Sequence, residues 1–327
     1  MIANTPRPRV AILAIDGLFD LGFASILDTM SIANELNREP IYELEVVGLQ
    51  KKVVSQRGSI IPTVRAKWDE TPDIVVVPAL GAKSPEALVP ALAARPVVAA
   101  CELLRAWGAG GATIAAACTG TFVLATSGLL DGHRATTTWW LAPLFRERFP
   151  DTELDDGNMI VASAPFVTAG AALAHLDLAL WLIRRQSPSL AALTARYLMI
   201  DTRPSQAAFA IPDHLMHDDD LVRRFESWVR KNLVDRFSLE EAAKKIGASP
   251  RTLQRKVQNV LGKSPIAFVQ DLRVERAIHL IRTSNDSMDT IAERVGYADA
   301  VTLRTLLRKK TGRGVRELRA ADSERAR

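Results

Sequence analysis

The feature that most constrains the fold is a helical pattern that occurs twice in the last third of the chain. Each copy has a serine at a helix N-cap position, an alanine inside the helix and a glycine at its end, followed by a leucine and a glycine in a second helix. The matching pairs are Ser238 and Ser287, Ala243 and Ala292, Gly247 and Gly296, Leu253 and Leu303, and Gly262 and Gly312. Their separation is 49 residues in the first helix and 50 in the second. A repeat of caps, core positions and terminating glycines predicts two copies of one two-helix unit.

The spacing within each copy is that of a helix-turn-helix. A capping box at residues 238–241 opens the first helix. After a short turn, Ser249 and Pro250 supply an N-cap and a proline at the first position of the second helix. A third helix begins after Ser264, runs to about Arg282 and joins the copies. The sequence therefore predicts an all-α domain over residues 221–320 with two helix-turn-helix motifs.

Positive charge is concentrated in the same part of the chain. Residues 219–327 contain 24 Lys and Arg against 15 Asp and Glu, a net charge of +9, whereas residues 1–218 contain 18 and 22, a net charge of −4. A basic module that folds separately is typical of a protein that binds a polyanion such as DNA. A solvated basic face without a partner is the alternative, and the repeat argues against it.

The second helix of each copy carries the candidate DNA-reading residues. In the first copy Leu253 and Val257 face inward, and the outward residues are Arg251, Gln254, Arg255 and Gln258. In the second copy the outward residues are Arg304, Thr305, Arg308 and Lys309. Arginine can bind guanine and glutamine can bind adenine through paired hydrogen bonds in the major groove. The basic run at 308–310 is expected to contact phosphates, which adds affinity without sequence information.

Residues from about 221 to 319 resemble the AraC/XylS family of regulators. The matching residues are Leu239, Ala243, Gly247, Leu253, Gln254, Arg255, Gly262, Lys263, Ser264, Pro265, Arg273, Ile291, Ala292, Val295, Gly296, Tyr297, Thr311, Gly312 and Arg319. The resemblance implies two reading helices set into successive major-groove segments of promoter double-stranded DNA. It assigns base reading to Arg251, Gln254 and Arg255 in the first unit and to Val301, Arg304 and Thr305 in the second. The second unit departs from the family at Leu303, Leu307, Gly314, Val315 and Leu318, where its core nevertheless stays apolar.

The first half of the chain alternates buried strands with helices. Short apolar runs at 10–15, 44–47, 74–77 and 113–117 predict strands, and helical patterns at 23–36 and 96–107 lie between them. A hairpin is expected over 159–168, followed by an apolar helix over 171–185. This order predicts a flavodoxin-like α/β sandwich with a mostly parallel sheet over residues 9–186. A proline-containing linker is expected over residues 187–220.

Cys118 lies where a strand runs through a turn of small residues into a helix. This is the layout of a nucleophile elbow, with a thiol in place of the usual hydroxyl. A helix N-terminus favours the thiolate, which is the reactive form. A cysteine at a strand end can equally be an inert core residue. The residues alone leave both interpretations open.

The same region resembles the PfpI-type, glutamine-amidotransferase-like superfamily, and more narrowly the N-terminal domain of GlxA-type regulators. The matching segments are 117–120, 127–132, 134–140, 149–150, 168–170 and 175–178, with Asp201, Arg203, Ser205 and Gln206. In peptidase members a histidine follows the cysteine, but here that residue is Thr119. Hydratase-like members use an acid that corresponds to Asp20, but the sequence after Asp20 departs from theirs. The resemblance therefore favours a ligand pocket with Cys118 and Thr119 in its floor and Asp16 or Asp20 at its rim, and no catalytic residues.

Together these observations predict a transcriptional regulator that responds to a small-molecule effector bound by its first domain. The effector class implied by the resemblance is an amino acid or a quaternary amine. The alternative is a cysteine-dependent hydratase or amidase with an appended DNA-binding domain. Further expectations are a homodimer, RNA polymerase as an additional partner, a cytoplasmic location, no membrane span, and neither a cofactor nor a metal site.

Overall fold

The computed structural model describes residues 7–201, 203, 205–206, 211, 215–311 and 314–323. The chain divides into two compact units, Met1–Gln206 and Ala207–Arg327. Within the described residues no single helix is long and apolar enough to span a membrane, although two helices that meet at a 62° bend, Pro85–Leu92 and Arg95–Ala109, reach that length together.

The first unit is built on a mostly parallel sheet. Its strands are β1 (Arg9–Leu13), β2 (Glu43–Gly48), β3 (Lys52–Val54), β4 (Ile60–Pro62), β5 (Val64–Arg65), β6 (Ile74–Val77), β7 (Thr113–Ala117), β8 (Arg134–Ala135), β9 (Glu153–Leu154), β10 (Ile160–Ser163) and β11 (Phe166–Ala169). Among the described residues the main sheet has seven strands in the order β10-β11-β7-β6-β1-β2-β5, and only β10 runs antiparallel to its neighbour. The predicted strands and the hairpin are confirmed, and two small sheets, β3-β4 and β8-β9, are additional.

Helices pack on the sheet of the first unit. They are α1 (Asp20–Leu36), α2 (Pro85–Leu92), α3 (Arg95–Ala109), α4 (Gly120–Thr126), α5 (Ala142–Arg148), α6 (Ala174–Gln186) and α7 (Pro188–Tyr197), with a 3-10 turn at Trp139–Leu141. Helices α1, α6 and α7 pack together, and their apolar side chains join those of β1, β7 and β11 in one core. The central strands are short apolar runs because both of their faces are buried. The mostly parallel α/β sandwich predicted from the sequence is therefore confirmed.

Strand order places a topological switch point between β1 and β6. The chain passes from β1 to β2 on one side, and β6 then returns to the other side of β1. In open α/β sheets, ligands bind in the crevice beyond the carboxyl ends of the strands at such a point. The segments that follow β1, β6 and β7 are therefore the expected surroundings of a ligand.

Helix α7 changes the predicted boundary between the first domain and the linker. Ser187 caps this helix by accepting a hydrogen bond from the backbone N–H of Leu190 at 3.3 Å, and Pro188 occupies its first turn. Leu190 and Ala191 are buried in the core shared with α1 and α6. Because the helix has an apolar face, Pro188 marks a helix start rather than a linker. The compact unit continues to Gln206, so residues 187–206 of the predicted linker belong to the first unit.

The second unit is helical, as predicted. Its helices are α8 (Asp220–Lys231), α9 (Leu239–Ile246), α10 (Pro250–Leu261), α11 (Pro265–Thr283), α12 (Met288–Arg294), α13 (Ala300–Thr311) and α14 (Val315–Ser323). The hydroxyls of the predicted capping serines accept hydrogen bonds from backbone N–H groups at 3.1–3.3 Å; these serines are Ser238, Ser249, Ser264 and Ser287. Three repeat glycines, Gly247, Gly262 and Gly296, have φ of +76°, +69° and +82°, which favours glycine. The fourth, Gly312, lies outside the described residues.

Each helix-turn-helix has its own core, and α11 belongs to both. Its first half contributes Phe268 and Leu272 to a core formed with α8, α9 and α10. Its second half contributes Ala277 and Ile281 to a core formed with α12, α13 and α14. One helix of 19 residues therefore carries both motifs.

Candidate nucleic-acid interface and ligand site

The second helix of the first motif, α10, has one buried and one exposed face. Leu253 and Val257 are buried, whereas Arg251, Gln254 and Arg255 are exposed. Three residues that can bind base edges therefore point to solvent from a helix whose other face is fixed by the core.

Helix α13 has the same arrangement in the second motif. Its exposed predicted residues are Val301, Arg304, Thr305, Arg308 and Lys309. Leu303 and Leu307 are buried in the core. The Thr305 hydroxyl donates to the carbonyl of Val301 at 2.9 Å, so its remaining lone pairs can only accept. Asp299 precedes the helix and accepts from the backbone N–H of Thr302 at 2.7 Å, which fixes the helix start.

Arg273 of α11 connects the two motifs. Its guanidinium donates to the carbonyls of Leu233 at 2.9 Å and Asp235 at 2.6 Å, both in the segment after α8 of the first motif. The same group lies 5.3 Å from the ring centroid of Tyr297, in the turn of the second motif, and against Gly296. Because one buried cation contacts both motifs, it fixes the orientation of one relative to the other.

Asp271, two residues before Arg273 on α11, makes a second connection. Its carboxylate accepts from Lys263, which follows α10, at 2.8 Å and from Lys310, near the end of α13, at 2.6 Å. Of the basic run predicted to meet phosphates, Lys310 is thus neutralised locally. In the sequence Arg273 is recognisable only as a position that matches the family, and Asp271 is not recognisable, because both roles depend on partners up to 40 residues away.

The first unit places Cys118 in a strained turn directly after β7. Cys118 has φ of +55°, in the left-handed region that is costly for a residue with a side chain. Its backbone N–H donates to the carbonyl of Ala169 at 2.9 Å, and its carbonyl accepts from the Thr137 hydroxyl at 2.7 Å. The first position of α4 requires glycine, because a Cβ on Gly120 would lie 2.4 Å from the carbonyl oxygen of Val77. This is the backbone geometry of a nucleophile elbow.

The thiol of Cys118 is held in its protonated form, which is the less nucleophilic one. Burial raises the pKa of Cys118 to about 11, although the hydroxyls of Thr138 and Thr119 and the ammonium of Lys83 act in the opposite direction. The adjacent Thr119 hydroxyl donates to the carbonyl of Leu80 at 2.7 Å, and an alcohol is in any case too weak a base to deprotonate a thiol. A thiol with this pKa is protonated at neutral pH.

We expect Cys118 to react with iodoacetamide at pH 7.5 at least about a hundredfold more slowly than an unperturbed thiol of pKa about 8.5, because the thiolate is the nucleophile. The rate should rise about tenfold per pH unit toward pH 11, since a raised pKa favours the neutral form below it. Peptide mass spectrometry separates Cys118 from Cys101, whose pKa is also raised to about 11 by burial. A Cys118 rate equal to that of glutathione would contradict the assignment.

His175 is a structural residue in the same region. Its Nδ1–H donates to the carbonyl of Ala172 at 2.5 Å, and its Nε2 accepts from the backbone N–H of Ala79 at 3.2 Å. Burial lowers its pKa to about 4, so the ring is neutral. With both nitrogens occupied by backbone groups, the imidazole has no position from which to deprotonate a thiol.

The two predicted rim carboxylates lie in different surroundings. Asp16 accepts from the backbone N–H of Val54 at 2.8 Å. Asp20 opens α1, and the Ser55 hydroxyl lowers its pKa, with smaller contributions from Ser59 and the backbone of Arg57. Asp16 therefore supports the β3-β4 hairpin, whereas Oδ2 of Asp20 is buried without a hydrogen-bond partner among the described residues.

Two cavities occur at opposite edges of the sheet. A cavity of about 410 Å³ at the switch point is lined by Asp16, Gln56, Leu80 and Gly81, together with residues before and within α3. Within the described part of the chain, Cys118, Thr119 and Asp20 are not among its lining residues. A cavity of about 480 Å³ lies at the amino ends of the strands and is lined by residues that include Arg9. The carboxyl edge is where α/β sheets bind ligands.

Neither edge of the sheet forms an evident metal centre. In the residues that the structure describes, no group of three or more His, Cys, Asp or Glu side chains is arranged to hold a metal ion.

Comparison with known proteins gives two family matches. Residues 8–185 match the profile of the DJ-1/PfpI family, and residues 242–321 match that of a helix-turn-helix domain. The transcriptional regulator GbdR of Pseudomonas aeruginosa is 24% identical over 298 residues, which cover 90% of this chain and 79% of GbdR. The transcriptional regulator CdhR of the same species is 23% identical over 290 residues, covering 87% and 83%. The match to the activator RhaS of Escherichia fergusonii is 34% identical but spans 93 residues, 28% of this chain and 34% of RhaS.

Solved structures share the fold of the first unit. A protein from Vibrio parahaemolyticus described as a transcriptional regulator covers 59% of this chain and 100% of its own, with a TM-score of 0.51 and 21% identity. A THiJ/PfpI family protein from Pseudomonas syringae covers 81% of this chain and 91% of its own, with a TM-score of 0.50 and 14% identity. At these identities the likeness concerns the fold alone.

Proposed function

The chain belongs to the DJ-1/PfpI family and joins that domain to an AraC-type helix-turn-helix domain, and from this we propose that it is a sequence-specific transcriptional regulator of promoter DNA. The observation that carries the proposal is the pair of exposed cationic helices, α10 and α13, held on the single helix α11. The second helix of a helix-turn-helix enters the major groove, where its outward residues meet base edges. The relatives GbdR and CdhR, which align over most of this chain, are transcriptional regulators.

We assign base reading to Arg251, Gln254 and Arg255 in the first motif. In the second motif the assigned residues are Val301, Arg304 and Thr305, and Arg308 and Lys309 are assigned to phosphates. A cytoplasmic location, where promoter DNA would be accessible, is part of this proposal. A homodimer and a contact with RNA polymerase are further parts of the proposal.

Replacing Arg255 or Arg304 by alanine should weaken binding to the promoter by about 1–3 kcal/mol, roughly 5- to 150-fold, if each arginine makes a paired contact with a base. Fluorescence anisotropy with labelled duplex from upstream of the protein's own gene measures the change. The loss should be much smaller on a duplex of scrambled sequence, because a base contact is specific whereas a phosphate contact is not.

Arg196→Ala is the matched control for this experiment. Arg196 is exposed on α7 of the first unit, so the change removes the same charge away from the proposed interface. Promoter affinities of the Arg255 and Arg304 variants that equal that of Arg196→Ala would refute the assigned reading faces.

We propose that the first unit binds a small-molecule effector at the carboxyl edge of its sheet, around Asp16, Asp20, Cys118 and Thr119. Support comes from the switch point, the adjacent cavity of about 410 Å³ and the strained turn at Cys118. A thermal-shift screen of amino acids and quaternary amines tests this, since a ligand that binds the native state raises its apparent stability. Stabilisation that is unchanged in an Asp16→Ala variant would place the ligand elsewhere.

We propose that this unit senses rather than catalyses. The elbow geometry at Cys118 is the observation that favours the alternative, a cysteine-dependent hydratase or amidase. Against it, the thiol is buried and protonated, and His175 is committed to backbone partners. Turnover of a nitrile, isonitrile or amide that is lost in Cys118→Ser would establish the enzymatic alternative.

A further inference from the structure

The first unit ends in a short segment that is inserted into the carboxyl edge of the sheet. Its last residue, Gln206, is 0% exposed, which is unusual for glutamine. The Nε2 of Gln206 donates to the carbonyl of Thr137 at 2.8 Å and to the hydroxyl of Thr136 at 3.1 Å. Its Oε1 accepts from the backbone N–H of Ala171 at 3.2 Å. Because the donor and acceptor sides of the amide are both bonded, the protein forms a socket specific for this side chain.

Two more residues hold the segment in place. The Ser205 hydroxyl donates to the carbonyl of Gly157 at 2.7 Å, and the backbone N–H of Gln206 donates to the same carbonyl at 3.0 Å. The guanidinium of Arg203 donates to the carboxylate of Asp177 on α6 at 2.5 Å. We call Arg203, Ser205 and Gln206 the latch.

The latch and the Cys118 turn share their contacts. Thr137, whose carbonyl accepts from Gln206, donates its hydroxyl to the carbonyl of Cys118 at 2.7 Å. On the other side, the Cys118 backbone N–H donates to Ala169, and the Gln206 amide lies against the residue that follows. A Cβ on that residue, Gly170, would lie 2.5 Å from the Gln206 Oε1, so the approach requires glycine. Two backbone segments, 136–138 and 169–171, therefore contact both the turn and the latch.

We propose that the latch couples the ligand site to the DNA-binding unit, an inference that rests on the proposed function and adds its means of regulation. In the sequence, the second unit begins at the residue that follows Gln206. A ligand beside Cys118 that displaces segment 136–138 also displaces the hydrogen-bond partners of Gln206. When the latch is released, the chain is no longer held to the first unit from Arg203 onward. The DNA-binding unit is then attached through a longer unheld stretch of chain, and its range of motion changes. Docked and released latches are the two states that the ligand distinguishes.

Because the latch and the Cys118 turn contact the same backbone segments, 136–138 and 169–171, loss of the latch should loosen the packing around the Cys118 thiol. Gln206→Leu removes the amide and keeps much of the side-chain volume. We expect the iodoacetamide rate of Cys118 in the full chain to rise at least about fivefold, because a less buried thiol has a lower pKa and a larger thiolate fraction. Cys101, buried in α3, is the internal control and should keep its rate. Gln186→Leu, the same change at an exposed position, should match the wild type.

A disulfide crosslink tests the state in which the latch is docked. It also provides a test that remains available if the Gln206→Leu variant does not fold. Asn158 and Ser205 are paired in an antiparallel bridge, which brings their Cα atoms to about 4.5–5.5 Å, within reach of a disulfide. Oxidation of the Asn158→Cys, Ser205→Cys variant should lower the Cys118 rate, and reduction should restore it. A Cys118 rate that changes in neither variant would overturn the proposal.

DNA binding provides the second readout. The oxidised crosslinked protein and Gln206→Leu should differ at least about fivefold in affinity for the upstream duplex. Equal affinities, within a factor of about two, would refute the coupling to DNA. A wild-type protein that binds no duplex would refute the proposed function instead, and the alkylation rates would then decide the latch alone.

Discussion

Replacing Arg273 by methionine should lower the free energy of unfolding of the second unit by at least about 3 kcal/mol, because two hydrogen bonds from a charged donor, worth roughly 1.5–3 kcal/mol each, are lost. Methionine keeps the apolar stem of the side chain. The loss therefore reports the guanidinium contacts with Leu233, Asp235 and Tyr297. Hydrogen exchange of the full-length protein in urea, followed in peptides from α11 and α13, measures the change for this unit separately.

The same variant should also lose cooperation between the motifs in DNA binding. Each motif keeps its own core, so binding to a duplex with one half-site should be little affected. Binding to the complete promoter should weaken more, because the two reading helices no longer have a fixed relative orientation. Arg276→Met is the control, since Arg276 is exposed on the same helix. If Arg276→Met and Arg273→Met were equally stable, the connection between the motifs would have no energetic role.

Alanine substitutions at the two equivalent glycines, Gly247 and Gly296, should have unequal effects. Both have positive φ, so each alanine costs about 1–2 kcal/mol in backbone strain. At Gly247 a Cβ meets nothing within 4 Å, and strain is the whole cost. At Gly296 it would lie 2.7 Å from the carbonyl oxygen of Val234 and 2.8 Å from the Arg273 guanidinium. Relief of such overlap costs about 1–3 kcal/mol more.

Gly296→Ala is thus expected to destabilise the second unit by roughly 2–5 kcal/mol, the sum of the strain and the overlap. The same hydrogen-exchange experiment in urea compares it with Gly247→Ala, which serves as the matched control. Equal losses of unfolding free energy in the two variants would show that the second motif does not pack against the first at this turn.

Local features of the fold were predictable because their causes lie within a few residues. The capping serines and the glycines with positive φ act on the backbone beside them, so their spacing located the helices of the second unit. The buried strands were predictable for a similar reason, since apolar runs such as Ile74–Val77 follow directly from burial on both faces. Helix α7 was not predicted, because Pro188 suggested a linker and the apolar face of the helix is recognisable only from its packing against α1 and α6.

The candidate sites were predictable only in part. Exposure of Arg255 and Arg304 follows from helix periodicity, whereas the contacts of Arg273 and Gln206 depend on partners 24 to 70 residues away. The state of Cys118 also could not be derived from its position after a strand. A helix start favours a thiolate, but complete burial outweighs that effect. The contacts and protonation states of these side chains are determined by packing between residues that are far apart in the sequence.

The sharing of α11 by both motifs limits how this protein could acquire new operators. An α-helix turns about 100° per residue, so one inserted residue in the middle of α11 would swing the second motif to another side of the duplex. It would also break the Arg273 contacts that hold the motifs in register. The distance along the DNA between the two half-sites therefore cannot change in small steps. New promoters would be gained by changing the side chains on α10 and α13, while the distance between the two sequences being read stays constant.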